Sequence, residues 1–200
     1  MKKILIAAAV GMLVAGSVAA QESPWLVRVR AVQLDMKNSG NTATTSALTV
    51  DDKTIPELDI SYFFNKNVAA ELILTVPQKQ HVYLNGADLG TFKHLPPTLT
   101  LQYHFTNLSG YKPYVGAGLN FTKIGSENIT VSSANDTSLS NDSVGAAFQA
   151  GVDIPLTKQV SLNFDVKKVY LKSHVYVGGS DVGALKLDPV LFGIGVGYRF

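Results

Sequence analysis

The chain has 200 residues, no cysteine and only 16% charged side chains, against about 25% in an ordinary soluble domain. Without Lys2 and Lys3, fifteen basic residues face fifteen acidic ones, so no basic surface remains for nucleic acid. Disulfides and thiolate metal sites are excluded with the cysteines.

Lys2 and Lys3 open the chain, followed by an apolar run from Ile4 to Val14 broken only by Gly11, and by small residues ending Ser17-Val18-Ala19-Ala20 before Gln21-Glu22. That order predicts a secretory signal peptide over residues 1–20, because the run is too short for a spanning helix. Residues 21–200 are expected to form one domain.

Beyond the signal the period is two. Trp25, Val27, Val29 and Ala31 alternate with Leu26, Arg28, Arg30 and Val32. Leu58, Ile60, Tyr62 and Phe64 alternate with Glu57, Asp59 and Ser61. Further segments follow: Ala70 to Val76, Thr98 to Phe105, Val115 to Phe121, Val144 to Val152, Val160 to Val166, and Phe192 to Phe200 with Gly193, Gly195 and Gly197 on its second face. Segments of about ten residues with one uniformly apolar face are the pattern of a transmembrane barrel. Three connections, at 65–67, 107–111 and 155–158, are short. Those at 37–54, 79–94, 123–142 and 173–186 are long and rich in Gly, Asn, Ser, Thr and Asp. The prediction is an all-β, eight-stranded antiparallel transmembrane β-barrel with short periplasmic turns and long extracellular loops, residing in the outer membrane among lipid and lipopolysaccharide.

A water-soluble barrel shows the same alternation with its faces exchanged, but its outer face would hold charges. Here the second face is rich in Gly and poor in charge, and aromatics cluster at strand ends (Trp25, Tyr62, Phe64, Tyr103, Phe105, Tyr198, Phe200) as in an interfacial girdle. The ending Tyr198-Arg199-Phe200 is typical of outer-membrane barrels, with Phe200 the expected contact for the barrel assembly machinery.

The chain resembles the OmpW family of eight-stranded outer-membrane proteins. The resemblance rests on Leu95-Pro96-Pro97-Thr98-Leu99-Thr100-Leu101-Gln102-Tyr103-His104-Phe105, on Pro113 to Asn120, on Gln149 to Asp153 and Asn163 to Lys167, and on Asp188-Pro189 with Phe192 through Phe200. It implies passage of small hydrophobic molecules across the outer membrane, with an exit through the barrel wall.

The inner face divides in two. Arg28, Arg30, Glu57, Asp59, Glu71, Gln102, His104, Asp153, Asp165, Lys167 and Arg199 fall in the middle or periplasmic half, where near-cancelling charges predict an ion-paired plug. Val32, Leu34, Ile73, Val169, Leu171 and Leu191 give the outer half an apolar lining, with more apolar residues above it (Val82, Tyr83, Leu84, Leu89 and Phe92; Val175, Tyr176, Val177, Val182 and Leu185). An eight-stranded barrel has room for side chains but not for a wide pore. An apolar mouth above a charged plug therefore favours sideways exit, and Pro77, Pro96 and Pro97, which cannot donate to the ladder, mark the candidate opening. His81, His94, His104 and His174 show no metal-ligand spacing, so neither metal nor cofactor is expected. No G-x-S-x-G elbow or phosphate-binding loop points to an enzyme. The competing reading is a surface recognition protein that binds phage, bacteriocin or host through its loops.

Overall fold

The computed structural model describes residues 23–106, 108, 110–129 and 137–200, and the expected signal peptide lies outside them. In chain order the described strands are β1 (Trp25–Asp35), β2 (Ser39–Gly40), β3 (Leu48–Val50), β4 (Lys53–Phe63), β5 (Val68–Thr75), β6 (Gln78–Leu84), β7 (Ala87–Leu95), β8 (Thr98–His104), β9 (Lys112–Ile129), β10 (Thr137–Leu139), β11 (Asp142–Pro155), β12 (Val160–Val169), β13 (Lys172–Val177), β14 (Ser180–Lys186) and β15 (Val190–Arg199). The wall runs β1-β4-β5-β8-β9-β11-β12-β15 with antiparallel neighbours, and the pairing of β15 with β1 closes it. Closure satisfies the backbone groups between strands, which is what allows a sheet to cross a bilayer.

The strand period sorts side chains into an interior that is charged at its base and a surface that is apolar. Arg28, Glu71 and Asp59 are fully buried, while Val29, Leu101, Val144 and Phe148 are more than half exposed. An outer face of Val, Leu and Phe on this scale would drive association in water and is at home against lipid. Edge-to-face aromatic pairs ring the end of the barrel nearest the short turns: Trp25–Tyr62 at 4.9 Å, Tyr62–Phe64 at 5.4 Å, Tyr103–Phe105 at 5.1 Å and Tyr198–Phe200 at 5.0 Å.

Two glycines are dictated by close packing of the wall. A Cβ at Gly118 would lie 1.9 Å from the Leu99 carbonyl oxygen, and one at Gly195 would lie 2.1 Å from that of Val29. Both obstacles are backbone of a paired strand, so an added methyl must push the ladder apart. Gly195→Ala is expected to reduce stability by about 1–3 kcal/mol, read as a lower urea midpoint for the change in mobility between folded and heated barrel on gels.

Above the wall the chain departs from expectation. The long connections at 79–94 and 173–186 are strands rather than irregular loops: β6 and β7 form one hairpin, and β13 and β14 another. The remaining connections clamp them. β3 pairs with β6 and β2 with β14, while the outer part of β9 pairs with β7 and β10 with β13. This exchange pattern is two-fold, and the sequence repeats with it. His81-Val82-Tyr83-Leu84-Asn85-Gly86-Ala87-Asp88-Leu89-Gly90 matches His174-Val175-Tyr176-Val177-Gly178-Gly179-Ser180-Asp181-Val182-Gly183 at six positions. Each hairpin has a register shift at its Val-Tyr step, and Gly90 and Gly183 share a φ of 127° and 129°.

Candidate functional site

The floor of the lumen is one ion network. The Arg28 guanidinium donates to both carboxylate oxygens of Asp153, at 3.1 and 2.6 Å, and to Glu71 Oε1 at 3.0 Å. Arg30 lies 3.1 Å from Glu57, 2.5 Å from Asp59, 3.2 Å from Asp165 and 3.4 Å from Glu71. Lys167 Nζ donates to both oxygens of Glu57, at 2.9 and 3.0 Å. Three cations thus face five carboxylates, and neutral donors spread the excess negative charge. Gln102 and Gln149 donate to Glu71 at 2.7 and 2.8 Å, Tyr114 Oη donates to Asp165 at 2.8 Å, and Asn163 donates to Asp153 at 2.9 Å. Buried charges are tolerable only when paired and hydrogen-bonded in this way.

Of the residues expected in the plug, Arg28, Arg30, Glu57, Asp59, Glu71, Gln102, Asp153, Asp165 and Lys167 meet in this network. His104 joins through Gln102, 2.9 Å away, and stacks on Tyr114. Arg199 stands at the last position of β15, where its guanidinium sits 4.1 Å over the Phe63 ring and donates to the Ser23 carbonyl at the periplasmic rim. Ser61, Tyr114, Gln149 and Asn163 were not anticipated in the network. Their parity was readable, since Tyr114 shares a face with Gly116, Gly118 and Asn120 on β9.

Above the floor the lining becomes apolar. Val32, Leu34, Ile73, Val169, Leu171 and Leu191 are all buried, within one cluster that extends to Ile55, Val82, Phe92, Val175 and Leu185, except that Ile73 stands beside it. Leu34, Ile73, Val169, Leu171 and Leu191 line a lower cavity whose base touches Glu57 and Lys167 and whose rim includes His94, Pro96 and Pro189. Leu48, Val50, Val82, Phe92, Val175 and Leu185 line an upper one between the hairpins. Both are narrow, about 30 Å³ below and about 10 Å³ above, room for a water or two. A larger molecule must displace side chains or hairpins. Of the candidate exit prolines, Pro96 borders the lower cavity, whereas Pro77 is exposed and Pro97 half-buried beside it.

Each hairpin tip is closed by the same clasp. His81 Nδ1 lies 2.8 Å from Asp88 Oδ2 while Gly90 N–H donates to Asp88 Oδ1 at 2.8 Å. His174, Asp181 and Gly183 repeat both distances. The glycine N–H, then the histidine, hold each aspartate below the usual carboxylate range. A depressed folded value means stability that is complete above the ordinary carboxylate pKa of about 3.9 and is lost as pH falls through the folded value. The protection of the Gly90 and Gly183 amides, relative to the intrinsic exchange rate at each pH, is therefore expected to hold from neutral pH down to that range and to fall together below it. Loss of protection at only one tip would show that the two clasps are not equivalent.

A closed eight-stranded barrel with a lipid-facing apolar surface and a buried, ion-paired base defines an integral outer-membrane protein. The sequence matches the OmpW family over residues 14–200, and the chain belongs to that family. An uncharacterized outer-membrane protein, y4mB, of Sinorhizobium fredii is 44% identical over 191 residues, covering 92% of this chain and 82% of its own. The dibenzothiophene metabolism operon protein PahQ of Pseudomonas aeruginosa is 28% identical over 195 residues, 90% of each chain. The crystal structure of OprG from Pseudomonas aeruginosa superposes with a TM-score of 0.73 at 26% identity, covering 92% of this chain and 99% of that one.

Proposed function

We propose that the barrel takes up small hydrophobic molecules from outside the cell into the apolar outer lumen and releases them sideways into the membrane. One observation carries this reading: the apolar cluster stands directly on a paired, fully buried ion network. The cluster offers an apolar molecule a favourable environment, while the network opposes onward movement toward the periplasm. An exit beside Pro96 fits, because that residue borders the cavity and stands in the break between β7 and β8, where it cannot donate to a ladder. Pro77 and Pro97 flank the same opening. A relative named for a dibenzothiophene metabolism operon supports an aromatic cargo. In this reading residues 1–20 are removed on export, residues 21–200 form the barrel among lipid and lipopolysaccharide, Phe200 serves the assembly machinery, and the protein acts as a conduit rather than an enzyme.

Titrating methyl-labelled protein in bilayers with naphthalene is expected to shift the Leu34, Ile55, Leu171 and Leu191 methyl groups and to leave Leu26, below the floor, unmoved. Shifts confined to outward residues such as Leu101 would reject the lumen as the route. A second reading, recognition of a surface partner, draws on the two exposed His–Asp clasps. It requires binding that survives when the lumen is blocked.

A further inference from the structure

The lower cavity contains polar groups that the floor network does not use. His94 is 3% exposed, and neither ring nitrogen has a hydrogen-bond partner among the described residues. Thr75 Oγ1, in the lining of the same cavity, is likewise buried without a partner. A buried polar group left unpaired costs about 1–3 kcal/mol, so an unpartnered imidazole in this lining asks for a reason.

The duplicated hairpin supplies an internal control. Thirteen residues after His81 the chain has His94, and thirteen after His174 it has Leu187. Leu187 is equally buried and lines the upper cavity. The same hairpin thus accepts an apolar residue at this position, and its fold alone does not demand histidine. Phe92, 5.7 Å from the His94 ring, similarly corresponds to Leu185. His94 breaks the two-fold pattern by adding an unpartnered hydrogen-bonding ring to the lower lining, at the position where the upper lining has Leu187.

We propose that His94, with Thr75 beside it in the cavity lining, anchors the single uncharged hydroxyl of an otherwise apolar cargo, whose hydrocarbon part lies among Leu34, Ile55, Leu171 and Leu191. This rests on the conduit reading and narrows its substrate class. Burial first, then the charge of Lys53, pushes the His94 imidazole down to about 4, so at neutral pH one ring nitrogen donates and the other accepts. A hydroxyl complements both roles. A carboxylate is a poorer match, because Lys167 in the cavity lining is held by both oxygens of Glu57 and Lys53, whose charge reaches His94, donates to the Lys79 carbonyl.

The test uses the full-length protein in lipid bilayers with 1-octanol and n-octane as probes, read from the Leu171 and Leu191 methyl shifts. The quantity of interest is the ratio of the two dissociation constants, which removes the common partition into lipid when variants are compared. The preference for octanol over octane is expected to fall about tenfold in His94→Leu, as loss of one hydrogen bond predicts. His94→Phe, which keeps a ring against Phe92, is expected to lose it equally. An unchanged ratio in both variants overturns the anchor while leaving the conduit intact. Failure of either probe to move the lumen methyls in the native protein overturns the conduit and the anchor together.

Discussion

Replacing Arg30 with alanine is expected to lower the stability of the folded barrel by about 3–5 kcal/mol, the usual consequence of removing one partner from a buried charge network. Arg30 touches Glu57, Asp59, Asp165 and Glu71 from one guanidinium. Without it, Lys167 remains near Glu57 and Asp165, and Arg28 near Glu71 and Asp153. Asp59 then keeps no cation in contact. Neutral donors cannot make up the deficit, because Tyr114 and the two glutamines already serve Glu71 and Asp165. Arg30→Lys should recover only part of the loss, since an ammonium lacks the planar fork that reaches several carboxylates. Urea unfolding of the bilayer-embedded barrel, followed by mobility on unheated gels, measures both. A loss below about 1 kcal/mol for the alanine variant would mean that the floor is not held together by this residue.

The second large effect concerns transport. Leu171→Asp is expected to cut uptake of an apolar tracer about tenfold or more while the barrel still assembles. Leu171 is 4% exposed in the lower cavity, and a carboxylate there finds Lys167 already held by Glu57. Apolar molecules must then pass a hydrated charge, and each 1.4 kcal/mol of added barrier is a factor of ten. Leu34→Asp, which lines the same cavity on β1, is expected to behave alike and serves if Leu171→Asp fails to assemble. Normal uptake in an assembled variant would remove the lower cavity from the path.

The wall and its two faces were legible because a strand has a period of two: once Val29 and Leu101 face lipid, Arg28 and Gln102 face inward without further information. The division of the lumen into a charged base and an apolar top follows from that parity together with the position of each residue along its strand. What could not be read is which charges meet. Arg28 and Asp153 are 125 positions apart, and their contact depends on strand stagger around a closed barrel, a property of the whole sheet rather than of any segment. In the sequence the hairpins above the membrane read as loops, because their Gly, Asn and Asp residues signal turns. Yet the repeated His-Val-Tyr and Asp-x-Gly steps were in plain view, and comparing the two connections would have revealed one folded unit used twice. His94 was seen only as one of four scattered histidines. Its burial and its lack of a partner are three-dimensional facts.

Passage of apolar molecules through this barrel is tested by the initial uptake rate of naphthalene, alongside that of a small sugar, in cells with and without the protein at verified surface expression. Faster naphthalene uptake with no matching gain for the sugar is the predicted result. Equal naphthalene rates would contradict the conduit and turn attention to the twin hairpins as a recognition surface.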